Sequence, residues 1–162
     1  METDIQELQL AGFLMGDNLF AIDIMRIKEI VIPQKLAGFP LQNSTLDGMI
    51  NLRGQIIPVM NLRLRFGMPP RPDGPGKLII VSVAGRQVAL AVDDLDEVIT
   101  VPVRDLTSPP DMVEGVGAEY LVAVCLCNQR LYLVLDIDML FMQSGQHHQG
   151  LIQEDFLHGD TR

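Results

Sequence analysis

The side chains in this chain best suited to chemistry are two pairs of carboxylates, two thiols, three histidines and one conspicuously placed arginine. The carboxylates are Asp93-Asp94 and Asp136-x-Asp138. Paired carboxylates do general acid–base work only when both reach one reacting atom. Adjacent residues of a strand face opposite sides, so Asp93 and Asp94 cannot share a task if that strand runs through them. Asp136 and Asp138 straddle the end of an apolar run, and Asp138 is placed to cap a following helix. Cys125 and Cys127 sit two apart in an apolar run, where a strand turns both to one face. No further cysteine completes a metal site, and His147, His148 and His158 lie in a polar C-terminal stretch. The pair reads as two reduced core thiols. With no G-x-S-x-G and no P-loop either, the sequence points away from an enzyme and calls for no cofactor or metal.

Arg53 is different. It stands with Gly54 at the middle of GMINLRGQIIPVMNLRLRFG, Gly48 to Gly67, between two apolar runs. Two strand-like runs separated by two residues form a hairpin, with Gly54 supplying positive φ. At the tip, the arginine keeps its head in water and lays its stem on apolar neighbours. It then serves either as a turn residue or as an anchor for an acidic partner, since arginine's planar, multi-donor head suits interface hot spots. Gly48, Asn51, Gly54 and Pro58 shape the hairpin, and Pro58 suits an edge strand or a bulge.

The elements around these residues are short strands rich in Val, Ile and Leu, separated by Gly, Asn, Asp and Pro. Strands are expected over Gln6–Met15, Leu19–Asp23, Arg26–Ile32, Gly48–Leu52, Gln55–Asn61, Lys77–Val83, Gln87–Val92, Glu97–Val101, Tyr120–Cys127 and Arg130–Leu135. Short helices are expected near Asn61–Phe66 and Ile137–Met142. Residues 69–76, PPRPDGPG, cannot hold a strand or helix and form a linker. The segments MGDNLFAIDIMRIKEIVIP, before it, and AGRQVALAVDDLDEVITVP, after it, look alike, which suggests a duplication. The expected architecture is therefore all-β, with two five-stranded barrels, residues 6–68 and 77–142, packed side by side around a groove. Each alone would bury too little surface to be stable. The run Leu121–Cys127 is apolar almost throughout, so one face should pack inside and the other should serve the second barrel or a partner. Residues 143–162 form a polar tail, in which Leu151–Leu157 could be helical.

Composition narrows the function. The net charge is −9 and aromatics make up 5% of the chain, which opposes nucleic-acid binding and adsorption to anionic membranes. An OB-like barrel binding single-stranded nucleic acid is the competing architecture, but it needs aromatic platforms and a basic groove. The N-terminus METDIQELQL carries acids where a signal peptide needs a basic start, and no window reaches the roughly 20 apolar residues of a membrane span. The expectation is a cytoplasmic protein.

The stretch LDGMINLRGQIIPVMNLRLRFG resembles the signature of the CheW-like domain family. LFAIDIMRIKEI at Leu19–Ile30 looks like the family's first hairpin, and GVGAEYLVAVCLCNQRLYLVLDIDMLF at Gly115–Phe141 is similar to its C-terminal half. The likeness covers residues 6–142. The chain departs from the usual pattern at Asn61, often Asp, and at Ala123, often Gly. The resemblance implies two SH3-like barrels and a free-standing chemotaxis adaptor. Such an adaptor couples the cytoplasmic tip of a methyl-accepting chemoreceptor to the regulatory domain of a histidine kinase, and so controls autophosphorylation at membrane-associated arrays. It also implies that Arg53 and Glu29 are interface residues. Ile27, two before Glu29, joins them as an apolar contact if its strand is regular.

Overall fold

The computed structural model describes residues 6–33, 48–109 and 118–142. Ten strands make up most of that length: β1 Glu7–Met15, β2 Asn18–Asp23, β3 Ile27–Val31, β4 Gly48–Leu52, β5 Gln55–Asn61, β6 Lys77–Val83, β7 Arg86–Val92, β8 Asp94–Pro102, β9 Leu121–Cys127 and β10 Arg130–Leu135. A short helix, α1 (Leu62–Arg65), follows β5, and a second, α2 (residues 137–142), follows β10. The expected strands and helices are found within a few residues. The largest differences are β8, which begins at Asp94 instead of Glu97, and Tyr120, which belongs to a 3₁₀ turn (Ala118–Tyr120) instead of β9. The linker 69–76 carries neither strand nor helix, and Leu151–Leu157 lies outside the described residues.

The strands form two five-stranded sheets, in the orders β8-β1-β2-β10-β9 and β3-β6-β7-β5-β4. The linker is not the boundary between them. The expected division into residues 6–68 and 77–142 is corrected by the pairing: β3, β4 and β5 belong with β6 and β7, while β1 and β2 belong with β8, β9 and β10. The reason lies in two crossovers. After β2 the chain turns through a 3₁₀ segment, Ile24–Arg26, capped by the Asp23 carboxylate on the Met25 N–H at 2.9 Å, and leaves for the other sheet. After β7 it returns at Asp93. Each half of the chain thus gives two strands to one barrel and three to the other.

The exchange is symmetric. Position by position, the order β8-β1-β2-β10-β9 maps onto β3-β6-β7-β5-β4 when each strand is replaced by its counterpart in the other half. The registers agree as well. The central parallel pair sets Ala21 opposite Val134 in one sheet and Ala89 opposite Val59 in the other. The edge pairs slip at the same place, between Ala11 and Phe13 on β1 against β8, and between Ile27 and Glu29 on β3 against β6. The likeness of the two hairpin segments in the sequence thus corresponds to a repeated topology in which each half's first two strands pair with the last three strands of the other half.

Three apolar clusters follow from this. Leu10, Ile99, Val101, Cys125, Tyr132 and Val134 fill the first barrel. Ile50, Leu52, Ile57, Leu78, Ile80 and Ala89 fill the second. The largest cluster lies between them and joins residues of both sheets, among them Phe13, Phe20, Ile22, Ile79 and Leu90, to Leu140 of α2. It takes matching positions from both halves: Met60 lies two before Leu62, which opens α1, as Leu135 lies two before Ile137, which opens α2. Burial of this kind contributes about 25 cal/mol per Å², and here much of it joins barrel to barrel.

Candidate functional site

Arg53 and Gly54 are the two turn residues of the β4–β5 hairpin, with Leu52 opposite Gln55. Both have positive φ, 53° and 86°. A turn left-handed at both central residues matches the right-handed twist of the strands it joins, and arginine occupies the first position at a conformational cost. Asn51 offsets that cost, since its side-chain oxygen accepts the Gly54 N–H at 2.9 Å. Pro58 lies opposite Met49 in the half of β5 that pairs only with β4; pairing to β7 begins at Val59. Its missing donor is therefore lost at what is locally an edge. Gly48 opens β4, in open space.

The tertiary structure brings Arg53 to Glu29. The guanidinium donates to both carboxylate oxygens, at 2.5 and 3.3 Å. Glu29 is on β3 and Arg53 directly follows β4, and these are the two end strands of the sheet order. The ion pair therefore closes the seam of the second barrel. The Glu29 carboxylate, through its hydrogen bonds and its charge, raises the pKa of Arg53 still further. The Arg53 side chain is 69% exposed, so water screens the pair and it adds little to stability. Met49 and Ile56 on the same hairpin are 63% and 61% exposed.

Ile27 does not join this pair. The bulge between Ile27 and Glu29 places Ile27 opposite Val81 and Glu29 opposite Ile80, which are successive residues of β6 and face opposite sides. The two side chains therefore lie on opposite faces, because the strand is not regular. Ile27 is partly buried and packs on the cluster between the barrels. Ile30, beyond Glu29 on β3, is the exposed isoleucine, at 44%.

The other barrel carries a comparable arrangement that the sequence analysis missed. Arg130, at the start of β10, donates to both oxygens of Asp96 at 3.1 and 3.0 Å and approaches Glu97 at 3.5 Å. Asp96 and Glu97 are on β8, an end strand, and Arg130 follows the β9–β10 turn, in which Asn128 and Gln129 have φ of 54° and 66°. Tyr132 donates its hydroxyl to Asp96 at 2.9 Å. Burial, the hydrogen bond to Asp96 and its charge push the Tyr132 pKa up to about 12. Burial alone would raise Asp96, but the bonds from Arg130 and Tyr132 hold it below the usual carboxylate range. Spacing from acid to arginine, across more than thirty residues, gave no local signal for this cluster.

The carboxylates first weighed as catalytic pairs act separately. Asp93 accepts from Arg63 Nε and Nη2 at 2.8 and 2.6 Å and from the Gly16 N–H at 2.6 Å, while Asp94 faces solvent beside Lys77 at 3.4 Å. Asp136, not Asp138, caps α2, accepting the Met139 N–H at 3.0 Å. Asp138 pairs with Arg26 at 2.7 and 3.3 Å. The β9 run alternates, with Ala123 and Cys125 buried while Val122 and Leu126 are 53% and 69% exposed. Its outer face therefore lies open to solvent instead of being buried against the other barrel. Cys125 and Cys127 are unbonded, and burial raises the Cys125 thiol. Among the described residues no three His, Cys, Asp or Glu side chains are placed to hold a metal, and no helix is long and apolar enough to cross a membrane.

Residues 9–144 match the model of the CheW-like domain. The chain is 34% identical over 146 residues to a chemotaxis protein CheW of Treponema pallidum, covering 87% of this chain and 86% of that one. It is 31% identical over 136 residues to a chemotaxis protein CheW of Bacillus subtilis, covering 83% and 87%. Among solved structures, the scaffolding protein TtCheW from Thermoanaerobacter tengcongensis superposes with a TM-score of 0.70 at 26% identity, covering 87% of this chain and 92% of that one.

Proposed function

The chain belongs to the CheW-like domain family, and from that premise we propose that it is a chemotaxis adaptor that holds a methyl-accepting receptor's cytoplasmic tip and a histidine kinase's regulatory domain together. It performs no bond-making of its own; its work is recognition, and its place is the cytoplasm beneath a receptor array. The observation that carries this reading is the Glu29–Arg53 pair. Two opposite charges meet on the surface at the seam of one barrel, at the tip of a hairpin whose apolar side chains Met49 and Ile56 face solvent. Such a pair contributes little to the folded chain and much to a partner that can desolvate it. A receptor tip is a helical hairpin, and a helix offering a carboxylate flanked by apolar residues would use both the arginine and the exposed side chains.

Asn51, Gly54, Gly48 and Pro58 shape this hairpin and do not contact the partner. Met49 and Ile56, exposed on the Arg53 hairpin itself, supply the apolar contact first expected of Ile27. The net charge of −9 continues to oppose a nucleic-acid ligand.

The test is calorimetric titration of the chain with a receptor signalling tip and with a kinase regulatory domain. Arg53→Glu should weaken at least one complex by tenfold or more while shifting the thermal midpoint by less than about 2 °C. Retention of both affinities in Arg53→Glu would leave Arg53 as a turn residue alone.

A further inference from the structure

The two crossovers are fastened in the same way, with opposite polarity. At the first, Arg26 donates Nε to the Ser82 carbonyl at 3.1 Å in the second barrel, and its remaining nitrogens to Asp138 on α2, which follows β10 of the first barrel. At the second, Asp93 receives the Gly16 N–H from the first barrel and two bonds from Arg63 on α1, behind the second barrel. The bonds to strand carbonyls correspond too: the Asp93 N–H donates to the Leu14 carbonyl, one residue before the end of β1, as the Arg26 side-chain Nε donates to that of Ser82, one residue before the end of β6. One crossover, through Arg26, presents a cation to an acidic helix. The other is acidic and meets a basic helix.

A repeated fold with exchanged strands has an ambiguity built into it. The N-terminal half could pair with the C-terminal half of its own chain, or with the N-terminal half of a second copy. The apolar cluster between the barrels distinguishes these poorly, because it draws matching apolar positions from both halves and hydrophobic attraction has no direction. The charges do distinguish them. In like-with-like pairing, Arg26 of one copy would meet Arg63 of the other, and Asp93 would meet Asp138. We propose that the opposed polarity of the Arg26–Asp138 and Arg63–Asp93 pairs selects pairing between unlike halves of one chain and disfavours strand-exchanged association of like halves from two chains. This is specificity by repulsion of the wrong partner. It concerns how the fold assembles and stands whether or not the surface pair at Arg53 takes a receptor.

Charge exchange in the full-length chain tests it. Arg26→Asp with Asp138→Arg restores one native attraction but makes both crossovers acidic and both helices basic, so like halves now attract. Adding Arg63→Asp with Asp93→Arg restores opposed polarity in reversed form. The wild type, the double variant and the quadruple variant are refolded from urea at one concentration and analysed by size exclusion with light scattering. The dimer fraction should rise about tenfold in the double variant and fall back in the quadruple variant. Two results overturn the proposal. One is a double variant that refolds as monomeric as the wild type. The other is a quadruple variant that keeps the double variant's dimer fraction, which would trace the dimers to weakened folding.

Discussion

Replacing Asp93 by alanine should cost far more than the same change at its neighbour Asp94. The Asp93 side chain is 14% exposed and accepts three hydrogen bonds, two from Arg63 and one from the Gly16 N–H, none longer than 2.8 Å. Removing it leaves the Arg63 guanidinium, 19% exposed, without its counter-ion. Deleting one partner of a fully buried ion pair costs about 3–5 kcal/mol. Because some water reaches this one, and Arg63 keeps its bond to the Pro69 carbonyl at 2.6 Å, the expected loss is about 2–4 kcal/mol. For a domain of this size that is a fall in midpoint of roughly 6–12 °C. Asp94, 60% exposed and 3.4 Å from Lys77, should cost no more than about 0.5 kcal/mol as alanine. Urea denaturation of the wild type, Asp93→Ala and Asp94→Ala, fitted with a common slope, measures the difference. Equal midpoints for the two variants would refute the claim that the crossover carboxylate fastens the barrels together.

The acid limb of stability should follow the same carboxylates. The bonds from Arg63 and Gly16 outweigh burial and leave Asp93 below its ordinary value, so its stabilisation is present above about pH 4 and is lost as pH falls through the lowered folded value. Asp93→Asn should flatten the pH dependence of the urea midpoint below about pH 4. Tyr132, at about 12 in the folded chain, should fail to ionise near 10 in an absorbance titration at alkaline pH; its stabilising effect is present below about 10 and lost as pH rises through the folded value. A full-amplitude phenolate step near 10, with the chain still folded, would contradict the Asp96 contact. Gly76→Ala would drive a Cβ into the Asp93 carbonyl, and should destabilise by about 2 kcal/mol or more in thermal melts. Asn51→Ala removes the acceptor of the Gly54 N–H at the Arg53 turn and should weaken partner binding several-fold, with Asn51→Asp recovering most of the loss.

Much of this protein was legible from its residues. Alternating Val, Ile and Leu between turn residues defined the strands, because side-chain direction repeats every two residues in any strand, whatever it pairs with. The Pro- and Gly-rich linker, the Arg53–Gly54 turn and the likeness between the halves are local properties of the backbone, and the signature around Arg53 carried the family. What the sequence left open is what depends on distant partners. The exchange of β3–β5 and β8–β10 between barrels is decided by pairing across the whole fold, and a split at the linker was the natural but wrong division. The bulge that parts Ile27 from Glu29 exists only against β6. The exposed outer face of β9 depends on where the second barrel sits. The Asp93, Asp96 and Asp138 pairs join residues 30 or more positions apart. Chain pattern fixes which way each side chain points along its own strand; which charge it meets is set by how the strands close into barrels, and that is a property of the tertiary structure alone.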